Sequence, residues 1–498
     1  MAKKLGKQAC TLIALGAAVV VLVGAFLLIK LLPGAGEAEA TPTPAADIII
    51  YECDRNDITG FSLANADAAW DIQVRKQDKT VTNSDGEQET QTETVYILTG
   101  YPDVPLNESN VGNVLTNFSR LVAKEVVETE TPADLAPYGL DPPAVTAVVR
   151  LSGGTSQEIY LGNKTGAGNS YYMMKQGDPA VYTVALTYAD RFSYTMDDLV
   201  KTNVVPALET TALDHILLKR AGQPDLEATH WTTPEGQARL GVAGFKIVKP
   251  YTIPKDINAN TFDTFMTNIG AIGITGIVSL DDSQKAEYGL TEPRMELSAA
   301  DASNAFTLYF GGDYGEEMVC CTVAGYAPIY AVDKQSIAFL ETVTPEDLAD
   351  KFLLLPMIDD VERVDITIGG GSHTMTIERR TEKATEEGAE DKVIETYFLD
   401  GVQKDEDAFK EVYQAAIGVT ADVNTTDPAL TEGATIATIT YYFSIGDIPS
   451  MTVTYYTYDN DFYAGAVEGE PKALVAKRKV DAIATAMDTL IQSEYTGE

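Results

Sequence analysis

The sequence predicts an α+β protein: tandem repeats of antiparallel sheet packed with one main helix each, after an N-terminal transmembrane helix. Three observations carry this reading. Residues 9–29 contain no charged side chain. A pattern of motifs recurs downstream at shifts of 148–150 residues. Within each copy, short alternating strands outnumber helical stripes, which favours hairpin-built sheets with helices on a face.

The apolar run comes first in the chain. At about 1.5 Å per residue it crosses a hydrocarbon core of roughly 30 Å. Lys3, Lys4 and Lys7 precede it and only Lys30 follows closely, so the positive-inside rule puts a tail, residues 1–8, in the cytoplasm and the bulk of the chain outside. A cleaved signal peptide is the rival reading, with Ala38-Glu39-Ala40 as its cleavage site. Signal cores usually span about 7–15 residues, and the length of this run favours a retained anchor over 9–32. Cys10 precedes most of the apolar run instead of following it, which argues against lipoprotein processing. Residues 33–46, rich in Pro, Ala and Glu, read as an extended linker. The expected location is the cell membrane, single-pass, with an extracytoplasmic bulk.

Charge divides along the same line. The 498 residues hold 74 acidic and 36 basic side chains, a net −38. Four lysines and no acid lie in the first 32 residues, so the remainder carries −42. Phosphate recognition rests on Lys and Arg, so nucleic acid is excluded as a partner. Apolar residues at 45% and charged residues at 22% describe a globular chain of several domains.

Three units are read: 47–206, 207–356 and a degenerate 357–498. Tyr138-Gly139-Leu140-Asp141-Pro142-Pro143 returns as Tyr288-Gly289-Leu290-Thr291-Glu292-Pro293. Tyr160-Leu161-Gly162 returns as Tyr309-Phe310-Gly311, and Asp198-Leu199 as Asp347-Leu348. The third unit lacks the Y-G-L-x-x-P element but keeps a Gly-x-Pro turn at 469–471, matching 177–179.

Each unit opens with a strand pair, expected at 47–52 with 60–63, at 215–219 with 228–232, and as a hairpin over 361–377. A main helix follows. Val111, Val114, Leu115, Phe118 and Leu121 share one stripe, as do Phe262, Phe265, Met266 and Ile269; a third helix is read over 405–417. Asn110 and Asn260 sit where N-caps belong. The Y-G-L-x-x-P turn, further strands and a short closing helix complete the unit, with a last helix near 479–493. In the turn, Tyr138, Gly139, Leu140 and Pro143, like Tyr288, Gly289, Leu290 and Pro293, are assigned structural roles. The glycine takes a positive φ, the proline stops helical continuation, and Tyr and Leu pack beneath the corner.

No catalytic, cofactor-binding or metal-binding residue is assigned. G-x-S-x-G, H-E-x-x-H, P-loop and C-x-x-C patterns are missing from the sequence. The glycines of 166–168 and 369–371 read as hairpin turns. His373 is expected to be exposed, and His215 and His230 to lack a carboxylate or thiol at ligand spacing. Asp459-Asn460-Asp461 lacks the glycine and bidentate glutamate of a calcium loop. Of the adjacent Cys320 and Cys321, alternation sends one thiol inward and the other outward. A carboxylate-based hydrolase stays open as the enzymatic alternative, because sequence does not place paired carboxylates.

The Y-G-L-x-x-P turn resembles that of a bacterial family, the domain of unknown function 4340. So do the Pro250-to-Pro254 segment leading into a helix over 261–272, the Y-[LF]-G strand and the D-L helix. The resemblance covers about 47–360, with the third unit a weaker echo. It implies an exported, membrane-anchored protein associated with a gliding-motility-type ABC transporter, and it supplies no catalytic residues. The expectation is a non-enzymatic accessory or scaffold protein with an ABC-type permease complex as its protein partner. The alternative is an envelope binding module for glycan, peptide or divalent cation.

Overall fold

Every second side chain of Met295–Asp301, beginning with Met295, is buried. Such alternation places one face of a strand on a core, and Val145–Leu151 and Thr435–Phe443 repeat it in the other two units. The computed structural model describes residues 46–495, except 67–68, 83–86, 243, 252, 384–391 and 426. The expected tail, membrane span and nearly all of the linker lie outside the described residues. Among the described ones, no helix is long and apolar enough to cross a membrane.

The described residues form three large antiparallel sheets of eight, nine and nine strands with one strand order. In the second unit Leu213–Arg220 lies centrally, and Leu226–His230, Phe245–Lys249 and Lys255–Asp256 step outward to one edge. After a helix the chain enters the opposite edge strand, Ile274–Ser279. It then returns to the centre, where Met295–Asp301 pairs with Leu213–Arg220. Ala305–Tyr314, Met318–Val323 and Ile329–Asp333 fill the remaining places outward. The first and third sheets repeat this path, so the structure is α+β with a repeated architecture.

The helices are α1 (Glu108–Ser119), α2 (Leu186–Phe192) and α3 (Met196–Leu199) in the first unit, and α4 (Ala259–Gly270), α5 (Lys334–Thr342) and α6 (Pro345–Leu348) in the second. The third unit holds α7 (Glu406–Ile417) and α8 (Lys477–Gln492). The first two units each have one 12-residue helix beside shorter ones, and the third unit departs from one main helix. In the third unit α8, at 16 residues, is longer than α7, and it buries Val480, Ile483, Met487 and Leu490. The predicted stripes of α1 and α4 are buried, although Leu121 belongs to the strand that follows α1. Each unit has its own main core. Phe118 anchors the first, 5.9 Å from Phe61 and 5.1 Å from Phe192 between ring centroids.

Two local expectations need correction. The N-caps are Asn107 and Asn258, not Asn110 and Asn260. The D-L element sets them: Leu199 O accepts the Asn107 N–H and Leu348 O accepts the Asn258 N–H, each at 2.7 Å. Ile48–Glu52 pairs with Arg120–Ala123 in a separate two-stranded sheet. A turn at Arg55–Asp57, capped by Asp54, separates it from Ile58–Asn65.

The return from edge to centre explains the repeated motifs. Gly139 and Gly289 have φ of 67° and 68°, the left-handed conformation that glycine adopts without penalty. Leu140 and Leu290 are buried on the outer face of their sheets. Tyr138 and Tyr288 are half-buried beside them, and Tyr138 Oη donates to Glu128 at 2.9 Å. Pro143 and Pro293 are half-buried just before the central strand. Gly162 and Gly311 lie directly under the Tyr138 and Tyr288 carbonyl oxygens, where a methyl group would collide. The two repeated motifs are thus one contact seen from both sides. In the third unit Pro428–Thr431, with buried Leu430, occupies the corresponding stretch of chain.

Covering the outer face also changes the cysteine reading. Both thiols are fully buried: Cys321 in the main core, Cys320 under Leu290 and Tyr288. Burial pushes the Cys320 thiol up to about 11 and Cys321 higher still. Burial therefore favours the thiol over the reactive thiolate at both positions.

Candidate functional site

The motif residues lie on the outer faces of the first two sheets, and the structure does not gather them into a site. The histidines are also apart. His373, expected to be exposed, is half-buried with Nδ1 2.8 Å from Asp400 Oδ2, and His215 Nε2 lies 3.0 Å from Glu227 Oε1. Each meets one carboxylate, and among the described residues no group of three His, Cys, Asp or Glu is placed to hold a metal ion. Asp459 Oδ1 accepts the Asp461 and Phe462 N–H groups and so closes its own turn.

The joint between the second and third units is different. Residues 349–357 leave α6 as an extended connector that both units grasp. On the second unit, the Asp350 N–H donates to Asp256 O at 2.7 Å and the Gly241 N–H to Leu355 O at 2.8 Å. On the third, the Ala421 N–H donates to Lys351 O at 2.7 Å and Tyr413 Oη to Pro356 O at 2.9 Å. Arg239 locks the end. Its backbone N–H and Nε each donate to Asp360 Oδ2 at 2.8 Å, and Nη2 donates to Asp360 Oδ1 at 2.9 Å. The guanidinium beside Asp360 holds that buried carboxyl below the usual range. The first two units share a smaller tie, from the Ile277 N–H to Asp197 Oδ1 at 2.8 Å.

Replacing Asp360 by Asn should therefore lower stability by about 1.5–3 kcal/mol at pH 7, the worth of hydrogen bonds to a charged group. A carboxyl held low in the folded state contributes above its unfolded value near 4 and stops contributing as pH falls through the folded value. Urea denaturation should show the gap between the variant and the parent shrinking as pH falls below 4. A gap independent of pH would contradict this account.

Over the connector a cleft of about 1080 Å³ opens between the two units. Residues 250–251 and 253–256 of the second unit form one wall, the connector the floor, and the turns at 421–425 and 467–472 of the third unit the other wall. Its support is a buried ion pair. Lys246 Nζ lies 2.7 Å from Asp256 Oδ1, with the two side chains 4% and 5% exposed. Lys246 Nζ also donates to Leu240 O, and Asp256 Oδ2 accepts the Val242 N–H, both at 2.7 Å. Gly241, at φ 105°, sits against the Asp256 carboxylate with no room for a Cβ.

Within the cleft, Lys255 Nζ stands 5.1 Å from the centroid of the Tyr251 ring. Burial lowers the Lys255 pKa. Burial, with Asp256 nearby, pushes the Asp350 carboxyl up to about 6. No sequence motif marked Lys255 or Asp350, although the segment holding Tyr251 carries part of the family resemblance.

No curated protein and no solved structure matches the chain. Residues 97–293 match the family model described as a domain of unknown function, DUF4340. The matched segment is shorter than the expected 47–360 and crosses the boundary between the first two units. It enters at the last residues of Gln88–Leu98, takes in α1, and ends on Pro293 of the second Y-G-L-x-x-P turn. It therefore contains both copies of the turn, one on each sheet, and the chain carries a DUF4340 domain over residues 97–293.

Proposed function

We propose that the protein is a non-enzymatic, membrane-anchored extracytoplasmic scaffold, an accessory protein of an ABC-type transport complex. One observation carries this reading: three sheets of the same order are tied in series, and most of the buried polar groups serve the fold or its joints. Arg220 illustrates the point. Its buried Nη1 donates to the carbonyls of Leu340, Glu341 and Val343 at the end of α5. The −42 of the region after residue 32 gives solubility and stand-off from an anionic membrane. Solubilisation of native membranes and affinity recovery of the full chain test the proposal. Stoichiometric recovery of a permease and an ATPase is expected, and isolation of the chain alone in repeated trials would refute it.

A second reading, an envelope binding module for glycan, peptide or divalent cation, is favoured by the cleft over the connector. Its size is that of ordinary ligand sites, roughly 300–1,000 Å³, and its walls mix apolar and charged groups. The two readings are compatible in one chain, and the second is tested through the cleft itself.

A further inference from the structure

Two opposite charges stand in the cleft without closing on each other. Lys255 and Asp350 are half-buried and near enough to influence one another. Yet neither has an opposite charge within 4.0 Å among the described residues. Unpaired charge withdrawn from water is costly. Asp256 faces Asp350 and opposes its ionisation, while Lys255, Lys246 and the Phe352 N–H only partly offset the burial. The Tyr251 hydroxyl is buried without a well-formed hydrogen bond, and the Glu346 carboxylate beside it adds to burial in raising its pKa.

These groups select a ligand class. A simple anion suits Lys255 and Tyr251 but meets Asp350 and Glu346 in the same cleft, where Lys472 is already paired with Glu470 at 2.8 Å. A simple cation suits the carboxylates and leaves Lys255 unpaired. A molecule carrying both charges satisfies both sides, and the apolar surfaces of Ile253, Phe352 and Leu353 supply a seat for a hydrocarbon side chain. The volume admits several residues. We infer that the cleft binds a short peptide with its carboxylate on Lys255 and the Tyr251 hydroxyl, its ammonium on Asp350 and an apolar side chain against the connector. This rests on the binding-module reading and is independent of the transport complex.

The test is calorimetric titration of the full chain in detergent with a set of free-terminus tripeptides having a leucine or phenylalanine centre. The tightest member is then repeated in N-acetylated and C-amidated forms. Saturable binding is expected, weakened at least tenfold by either cap, by Lys255→Met and by Asp350→Asn, and about threefold by Tyr251→Phe. Asp350→Asn also reports folding. A carboxyl whose folded pKa is raised favours the fold below its unfolded value near 4 and loses that contribution as pH rises through about 6. The variant should therefore melt several degrees higher than the parent at pH 7.5 and no higher at pH 4, so lost binding cannot be charged to unfolding. Absence of saturable binding by every tripeptide, or indifference to the caps and to both charge variants, overturns the inference. Binding of chitotriose or Ca²⁺ in place of peptides, abolished by the same variants, overturns the peptide class and leaves a binding module. Failure of all three ligand classes removes both.

Discussion

Asp256→Asn should destabilise the protein by about 3–5 kcal/mol, the cost of removing one partner from a buried ion pair. The Lys246 ammonium would remain buried at 4% exposure, donating to the Leu240 carbonyl. The damage should also spread. Asp256 Oδ2 holds the Val242 N–H, and that turn presents Arg239 and Gly241 to the connector and to Asp360. Loosening it frees the splice between the second and third units as well as the edge strand Lys255–Asp256. Lys246→Met should cost a similar amount by stranding the carboxylate. The double replacement Lys246→Met with Asp256→Leu should cost less than the sum, since the pair's desolvation is then no longer incurred. Urea titrations followed by fluorescence of Trp70 in the first unit and Trp231 in the second would measure all three. A loss below 1 kcal/mol for Asp256→Asn, or strict additivity in the double variant, would show that the pair does not support the joint.

The readable and unreadable parts of this fold differ in the sequence distance of their causes. The stripe of Phe262, Phe265, Met266 and Ile269 is local, and the helix it announces is present. The hairpin over 361–377 is local too. Composition alone favours Asn110 as a cap, but the start of α1 is fixed by Leu199, 92 positions beyond Asn107. Asn110 instead donates its Nδ2–H to Asp198 O at 2.7 Å. Cys320 faces the outer side of its strand as alternation requires, yet it is buried because the return crossing covers that side. The cleft was hidden for a further reason. Its walls come from four separated stretches of an acidic chain, in which Asp350 and Glu346 resemble any solvated carboxylate until the connector is folded. Repeats disclosed the architecture; only assembly of two repeats disclosed the cleft.

The two-sided contact between the repeated motifs leads to the second large effect. Gly311→Ala should cost about 1.5–3 kcal/mol, and Gly162→Ala should behave alike. At each position a methyl group meets a backbone carbonyl, Tyr288 O or Tyr138 O, which cannot swing aside as a side chain would. Tyr288 O is further held by the Gly312 N–H at 2.6 Å. Overpacking against a fixed obstacle costs about 1–3 kcal/mol. If the turn lifts instead, Leu290 loses its cover at about 1.5–3 kcal/mol, and the outer cluster of Cys320 and Ile329 opens with it. A thiol reagent separates these routes at one atom. In Gly311→Ala, Cys320 should become reactive under native conditions while Cys321, in the main core on the opposite face, stays protected. Gly162→Ala should leave both thiols protected and lose stability all the same, because its turn covers Met174 and Val181. Equal loss in the two variants with thiol exposure in only one would establish that the repeated glycine serves the same contact twice. A silent Gly311→Ala would mean that the motif recurs for some reason other than this crossing.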